Sequence, residues 1–328
     1  GRRKKNNSNK IVMNKKILIT GGTGFIGKAA VKYFTNNGYV VRTYDIRGTG
    51  NDSNHDHYIG TVMYVDELYN AMKGFDYVLH LAAMVGVKRT ESDKLQCLQL
   101  NIIGTKNVLD ACVRAGIKKL IYVSSSEVYG DSVKIPMSEI DPVSPKSVYG
   151  VTKLVGEEYV KAYKKEHNLD YTIVRPFSIY GIGQVAEFVL PKFIKAALSN
   201  ESPVIYGDGN QVRAFCYVDD AVRAIHLALI NKDADNHTFN VGNEAEPITM
   251  KDLSYMVIKI ANKELKPRFI GLSESDREAE REIIRRIPDI TKARTVLSYS
   301  PVVSLEEGIR KIIEFGKIEE TPYSHLLP

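Results

Sequence analysis

Lys16-Ile17-Leu18-Ile19-Thr20-Gly21-Gly22-Thr23-Gly24-Phe25-Ile26-Gly27 decides how the chain is read. Ile17 to Ile19 are apolar without a helical period, which suits a central strand of a parallel sheet. Gly21, Gly24 and Gly27 recur every third position. A tight turn, bare backbone N–H groups facing a phosphate, and close packing of helix on strand all favour glycine there. Lys28 to Asn36 reads as a helix with Ala29, Ala30, Tyr33 and Phe34 on its apolar side. Gly38 breaks it, and Tyr39 to Asp45 reads as a second strand. Asp45 falls 18 positions after Gly27, where a βαβ unit sets a carboxylate on an adenosine ribose. Glycine spacing alone is weak evidence. The ordered strand, glycine turn, helix, strand and terminal acid predict an α/β protein with a Rossmann-type, doubly wound parallel sheet that binds a dinucleotide.

Asp45 accepts from a 2′-hydroxyl and repels a 2′-phosphate, so NAD is expected before NADP; Arg47 keeps NADP as the alternative. Working downstream, a polar loop from Arg47 to His57 is followed by a helix over 66–73. The strand Tyr77-Val78-Leu79-His80-Leu81-Ala82-Ala83 ends in small residues at the expected cofactor edge. A helix is predicted over 94–115 and stops at Gly116. Strand Leu120–Val123 runs into Ser124-Ser125-Ser126-Glu127, where open α/β sheets bind ligands. His55 and His57 lack the partners of a metal site, so no metal is expected.

After a Pro- and Ser-rich loop, a helix over 149–165 sets Tyr149 and Lys153 on one face. A strand over 169–175 closes at Pro176, and the βα rhythm then loosens. Helices are predicted over 189–198, from Asp219 and Asp220 as caps to Ile230, over 250–261 capped by Thr249, and over 305–315 capped by Ser304. Three regions follow: a basic tail over 1–15, a nucleotide-binding domain over 16–177 to which 214–240 returns, and a mainly substrate-binding domain over 178–328.

Tyr149 and Lys153 carry the chemistry. An ammonium beside a phenol, with a positive nicotinamide nearby, favours the phenolate. Such a tyrosine takes the proton of a sugar or alcohol hydroxyl while hydride leaves the same carbon. Ser125 can donate to the same oxygen. Glu127 can move a proton next to a new ketone, or it can simply brace the loop. Arg213, after the Gly207-Asp208-Gly209 turn, matches a diphosphate, with a surface ion pair as the alternative.

Composition sets the outer limits. The 328 residues are 44% hydrophobic and 26% charged, an ordinary globular balance. Seven basic side chains and no acid lie in residues 1–16; without them 38 basic groups balance 39 acidic ones. The tail is therefore read as solvated rather than as a nucleic-acid or membrane anchor. No apolar run spans a bilayer and the first residues do not read as a signal peptide. Cys97, Cys112 and Cys216 have no paired spacing and suit a reducing, cytoplasmic compartment.

Taken together, these stretches resemble the extended short-chain dehydrogenase/reductases of the NAD-dependent nucleotide-sugar epimerase/dehydratase family. The matching segments are Thr20–Gly27, His80–Ala83, Asn101–Thr105, Ser124–Gly130, Tyr149–Lys153, Arg175–Gly181 and Tyr206–Asp220. The resemblance implies a tightly held NAD, a nucleoside diphosphate sugar as substrate, and oxidation of sugar C4 by Tyr149 to a 4-keto intermediate. It implies cofactor contacts from Gly21, Thr23, Gly24, Phe25, Ile26, Gly27, Asp45, Ile46, Leu81, Ala82, Ala83, Asn101, Val123, Tyr149 and Lys153. Substrate contacts fall to Ser125, Ser126, Ser178, Tyr206 and Arg213, with Ser125 orienting the C4 hydroxyl. A homodimer through helices 95–115 and 149–165 is also implied.

The later fate of the ketone stays open between epimerisation, dehydration, decarboxylation and release by a 4-dehydrogenase. A non-catalytic NAD-binding sensor of the same fold is the rival. Ser126 stands where thymidine-diphosphoglucose dehydratases of the family carry Asp, and plain 4-epimerases usually lack a carboxylate at Glu127. Ser126-Glu127 is similar to UDP-glucuronate decarboxylases, although Ile182-Gly183 replaces their Pro-Arg. Ser178 and Thr61 replace the Asn and Asp of many relatives.

Overall fold

The computed structural model describes residues 15–49, 55–132, 134–271, 274 and 283–316. Nearly all of the basic tail and Gly50 to Asn54 of the polar loop lie outside the described residues. Seven strands form one parallel sheet in the order β11-β6-β5-β4-β1-β2-β3. They are β1 (Lys16–Thr20), β2 (Val40–Asp45), β3 (Asp56–Ile59), β4 (Tyr77–His80), β5 (Lys119–Val123), β6 (Asp170–Pro176) and β11 (His237–Val241). The order reverses between β1 and β4, so their carboxyl ends open a crevice.

Alternation along β1 explains the two layers. Ile17 and Ile19 enter one core with α1 (Phe25–Asn36) and α8 (Val218–Ile230). Leu18 enters the other, with α2 (Val65–Met72), α5 (Gly104–Ala115) and α6 (Val148–His167). All three are fully buried, each contributing about 1.5–3 kcal/mol of transfer free energy. The first core continues through α7 (Val189–Leu198), α9 (Met250–Ile260), α10 (Thr291–Leu297) and α11 (Leu305–Phe315).

Small sheets build the other side of the crevice. β7 (Ile179–Tyr180) pairs with β10 (Cys216–Tyr217), and β8 (Val204–Tyr206) with β13 (Arg268–Ile270). β9 (Val212–Ala214) lies between β12 (Pro247–Thr249) and β14 (Arg285–Arg286).

Three local expectations need correction, and one helix is additional. The polar loop contains β3 and its two histidines are structural. Thr43 Oγ1 is bonded to His55 Nε2 at 3.0 Å and to His57 Nδ1 at 2.7 Å. The helix over 94–115 is interrupted: α4 (Lys94–Leu98) and α5 are joined by a π turn at Gln99–Ile103 that points Asn101 inward, 3% exposed. α3 (Val87–Ser92) had no clear sequence signal. Asp219 and Asp220 do not cap α8. Asp220 instead accepts from Val302 N and Val303 N, both at 2.9 Å, and pairs with Arg223, tying the C-terminal segment to α8. Thr249 and Ser304 do cap α9 and α11, accepting from Asp252 N and Glu307 N.

Candidate active site

The glycine turn closes over the crevice. Gly21 has φ +72, and a Cβ there would come within 2.8 Å of Ala82 N. A Cβ at Gly27 would lie 2.2 Å from Gly21 O and 2.7 Å from Gly22 Cα. Helix α1 therefore starts three residues earlier than its apolar periodicity suggests, at Phe25. Gly24 precedes it in extended conformation, with no side-chain cap and no acid in the first turn. Its first N–H groups are left for an anion. Asp45 Oδ2 accepts from Thr23 N at 3.0 Å and Oδ1 from Arg47 N at 3.3 Å. Thr23 Oγ1 is buried without a partner. Cleared glycine cradle, bare helix start, acid at the tip of β2 and orphan hydroxyl fit a dinucleotide.

The neighbouring strand ends support this cradle. Buried His80 joins Thr20 Oγ1 (2.8 Å) to Thr105 Oγ1 (3.1 Å), and burial pushes its pKa down to about 3, so the ring is neutral. Leu81 N donates to Thr20 O, and Ala82 N to Thr20 Oγ1 at 3.3 Å. Ala82 and Ala83 keep some accessible surface, and Ile46 is exposed. Asn101 ties the next loop down: its Oδ1 accepts from Met84 N at 2.7 Å, and its Nδ2 donates to Met84 O and Thr152 Oγ1. In Gly27→Val the branched side chain has no room; cofactor affinity is expected to fall by at least about tenfold, read by fluorescence titration with NADH.

The candidate catalytic side chains meet where β5 ends and α6 begins. Ser125 opens a 3-10 turn, Ser126–Tyr129, by accepting from Glu127 N at 3.1 Å. Its side chain lies near the Tyr149 phenol and works to hold that group's pKa down. Lys153 Nζ donates to Val123 O at 2.8 Å and lies 5.7 Å from the Tyr149 ring centroid. Burial holds its pKa down to about 8. Burial also pushes the Tyr149 phenol above its usual value, and Glu127 adds to this. An ammonium beside a phenol lowers its pKa, but in the protein alone burial decides the direction. Ser126 is buried at 2% exposure.

Two further residues join the site from outside the motifs, Ser147 and Arg286. Ser147 accepts from Gly150 N at the start of α6 and donates to Glu127 Oε2 at 2.6 Å. Arg286 Nη1 reaches Glu127 Oε1 at 3.5 Å, and its Nε is buried without a partner. A serine before a helix is a capping signal, but nothing local marks Arg286. On β14 it is the register partner of Arg213 on β9. Arg213 is 8% exposed, and its Nη1 donates to Val212 O at 2.9 Å. Ser178 holds φ +42 and its carbonyl accepts from Cys216 N. Tyr206 ends β8, partly exposed. Ser125, Glu127, Tyr149 and Lys153 thus form one cluster joined by Arg286, whereas Ser178, Tyr206 and Arg213 sit on the small sheets and their flanks. Among the described residues no cluster of three metal-ligating side chains occurs, and no helix is long and apolar enough to cross a membrane.

The chain is 34% identical to a putative UDP-glucose 4-epimerase of Methanocaldococcus jannaschii, over 92% of its own length and 98% of the relative's. It is 32% identical to the UDP-N-acetyl-α-D-glucosaminuronate decarboxylase of Bacillus cytotoxicus, covering 94% and 99% of the two chains. The structure of Thermotoga maritima UDP-glucose 4-epimerase with UDP-glucose superposes with a TM-score of 0.85 at 32% identity, covering 92% and 98%. Residues 17–242 match the NAD dependent epimerase/dehydratase family, and with the geometry above the chain belongs to that family as an NAD-dependent enzyme.

Proposed function

We propose that the chain oxidises a UDP-linked sugar at C4, with Tyr149 as the proton acceptor and Ser125 and Lys153 beside it, and that a 4-keto sugar is the intermediate. The observation carrying this reading is that Ser125 and the Lys153 ammonium both lie beside the buried Tyr149 ring, Lys153 Nζ 5.7 Å from its centroid. Bound NAD would supply the hydride acceptor for C4 and the hydride source for the later step. Tyr149 receives the C4 hydroxyl proton, Ser125 aligns that oxygen, and Lys153 offsets charge on the phenolate. Asp45, Thr23 and the glycine turn hold the dinucleotide. Arg213 and Arg286, neighbours across β9 and β14, carry two guanidinium groups suited to a diphosphate. UDP as the nucleotide is inferred from the relatives.

Glu127 guides the choice of second step. Returning hydride to C4 needs only Tyr149 and Ser125, whereas a carboxylate beside the ketone suits proton transfer at C5. Decarboxylation of a UDP-hexuronate provides such a step. The C5–C6 bond breaks, its electron pair passes into the enol of the C4 ketone, carbon dioxide leaves, and C5 takes a proton. Simple 4-epimerisation is the second reading, favoured by the similarity to the Thermotoga maritima enzyme.

Product mass after incubation with UDP-hexoses and UDP-hexuronates separates these. Loss of carbon dioxide supports decarboxylation, and unchanged mass with a new sugar signal by NMR supports epimerisation. If no sugar reacts and the nicotinamide absorbance never changes, the catalytic reading falls.

The same proposal covers the arrangement of the chain. Residues 16–177 and 214–240 form its nucleotide half, since β11 extends the main sheet beside β6. Residues 178–328 mainly form the substrate half. Leu95, Ile103 and Val151 expose 80%, 41% and 40% of their surface on or beside α4, α5 and α6, which supports a homodimer through these helices. The three free cysteines support a cytoplasmic setting.

A further inference from the structure

A buried polar chain runs from the oxidation half of the site to the strand carrying Arg286. It begins at Glu157, fully buried on α6 one turn beyond Lys153. Glu157 Oε1 accepts from Ser124 Oγ at 2.6 Å and Arg175 Nε at 2.8 Å, and Oε2 from Arg175 Nη2 at 2.6 Å. Arg175 Nη1 donates to the Tyr129 hydroxyl at 2.9 Å, which lies 2.7 Å from Asn240 Oδ1. Asn240 Nδ2 donates to Met137 O at 2.9 Å and Asp289 O at 3.2 Å. Met137 and the segment after Arg286 are bonded directly as well, Met137 N to Ile287 O and Asp289 N to Met137 O.

The directions in this chain are forced. A guanidinium only donates, so the Tyr129 oxygen accepts from Arg175 and its single hydrogen goes to Asn240 Oδ1. That fixes the Asn240 amide, with its NH2 on the two carbonyls. Tyr129 joins the charged pair under Ser124 to the carbonyls that hold the segment next to Arg286 through side chains, beside the pairing of β6 with β11 that sets Arg175 opposite Asn240.

We propose that the Tyr129 hydroxyl is a positioning group that sets Arg286 against Glu127, and that it governs the step after sugar oxidation. The proposal rests on the functional reading above. Ser125, Tyr149 and Lys153 are placed by β5, α6 and the Val123 carbonyl, and these contacts persist without the hydroxyl. Glu127 faces Arg286 from β14 and Ser147 from the start of α6, and of these two the Arg286 side is the one that leads to Asn240. Phenylalanine keeps the ring under the Arg175 guanidinium, whose carbon lies 4.8 Å from its centroid.

Tyr129→Phe, compared with the parent chain on a UDP-sugar the parent turns over, tests this. Nicotinamide reduction in a single turnover is expected to stay within about twofold, while steady-state turnover falls about tenfold and reduced cofactor accumulates. Equal turnover overturns the proposal, as does a parallel fall in both rates. Should Tyr129→Phe not fold, Asn240→Asp keeps the acceptor for Tyr129 and loses both donors; the same split is expected, and its absence overturns the proposal equally. A parent chain that reduces no cofactor with any UDP-sugar overturns the functional reading first, and this one with it.

Discussion

Tyr149→Phe lowers turnover by about three orders of magnitude while leaving NAD affinity near that of the parent, the range expected when a positioned acid–base group is removed. The ring and its packing remain; only the acceptor for the C4 proton goes. The accompanying pH dependence has a defined sign. Burial holds Lys153 near 8, so its ammonium is present below that pH and lost above it. Burial also raises Tyr149, so the phenolate depends on that positive charge and on the cofactor's. Turnover should therefore decline as pH rises through about 8. Lys153→Arg, charged at every working pH, should run more slowly but lose this decline. A pH–rate profile on parent and variant checks both points; a parent rate that climbs steadily beyond pH 9 contradicts the roles given to this pair.

The second large effect concerns folding. Glu157→Leu should cost about 3–5 kcal/mol, because it strands the Arg175 guanidinium, 6% exposed, without its counter-ion. Ser124 Oγ loses its acceptor as well. Arg175→Met alone should cost a similar amount by stranding the carboxylate. The double variant should cost clearly less than the sum, since an apolar pair of similar volume avoids desolvating either charge. Denaturant midpoints for the four proteins give the coupling energy directly. Strict additivity would mean that the two groups contribute separately, and the pair would not be the link between α6 and β6 described here.

What the sequence revealed follows from how locally each feature is encoded. β1, the glycine turn, α1 and β2 form one continuous unit, with φ, packing and periodicity pointing the same way. Helices α7 and α11 were read to the residue, because their apolar stripes and flanking caps are local. Tyr149 and Lys153 were legible because one helical turn places them together. The misses are non-local. β3 forms because Thr43 and Tyr44 offer an edge to His57 and Tyr58, which the short stretch Asp56-His57-Tyr58-Ile59 does not announce by itself. The π turn is decided by the Met84 backbone, far from Asn101 in sequence. Arg286 is brought to Glu127, 159 positions away, by pairing of β14 with β9. Asp219 and Asp220 looked like caps because acids at a helix start usually are, yet the C-terminal segment offered Asp220 better donors.

The wide turn at Gln99–Ile103 has a consequence for how this chain tolerates change in length. It holds one more residue than a regular turn, and that surplus lets two demands be met on one rod. Asn101 must face the Met84 loop, while Gly104 must face Val62, whose Cγ2 would lie 2.5 Å from any Cβ at that position. Excising a single residue here would restore ordinary winding; because the wide turn spreads its extra residue over nearly the same rotation as a regular one, the helix on either side would keep its orientation, and the widening that turns Asn101 toward Met84 would be lost. The Gly104 contact would then survive and the Asn101 contacts would not. Length variants of this segment should thus be far less permissible than their exposed surroundings suggest, whereas substitutions that keep the count, such as at exposed Gln99, should pass unnoticed.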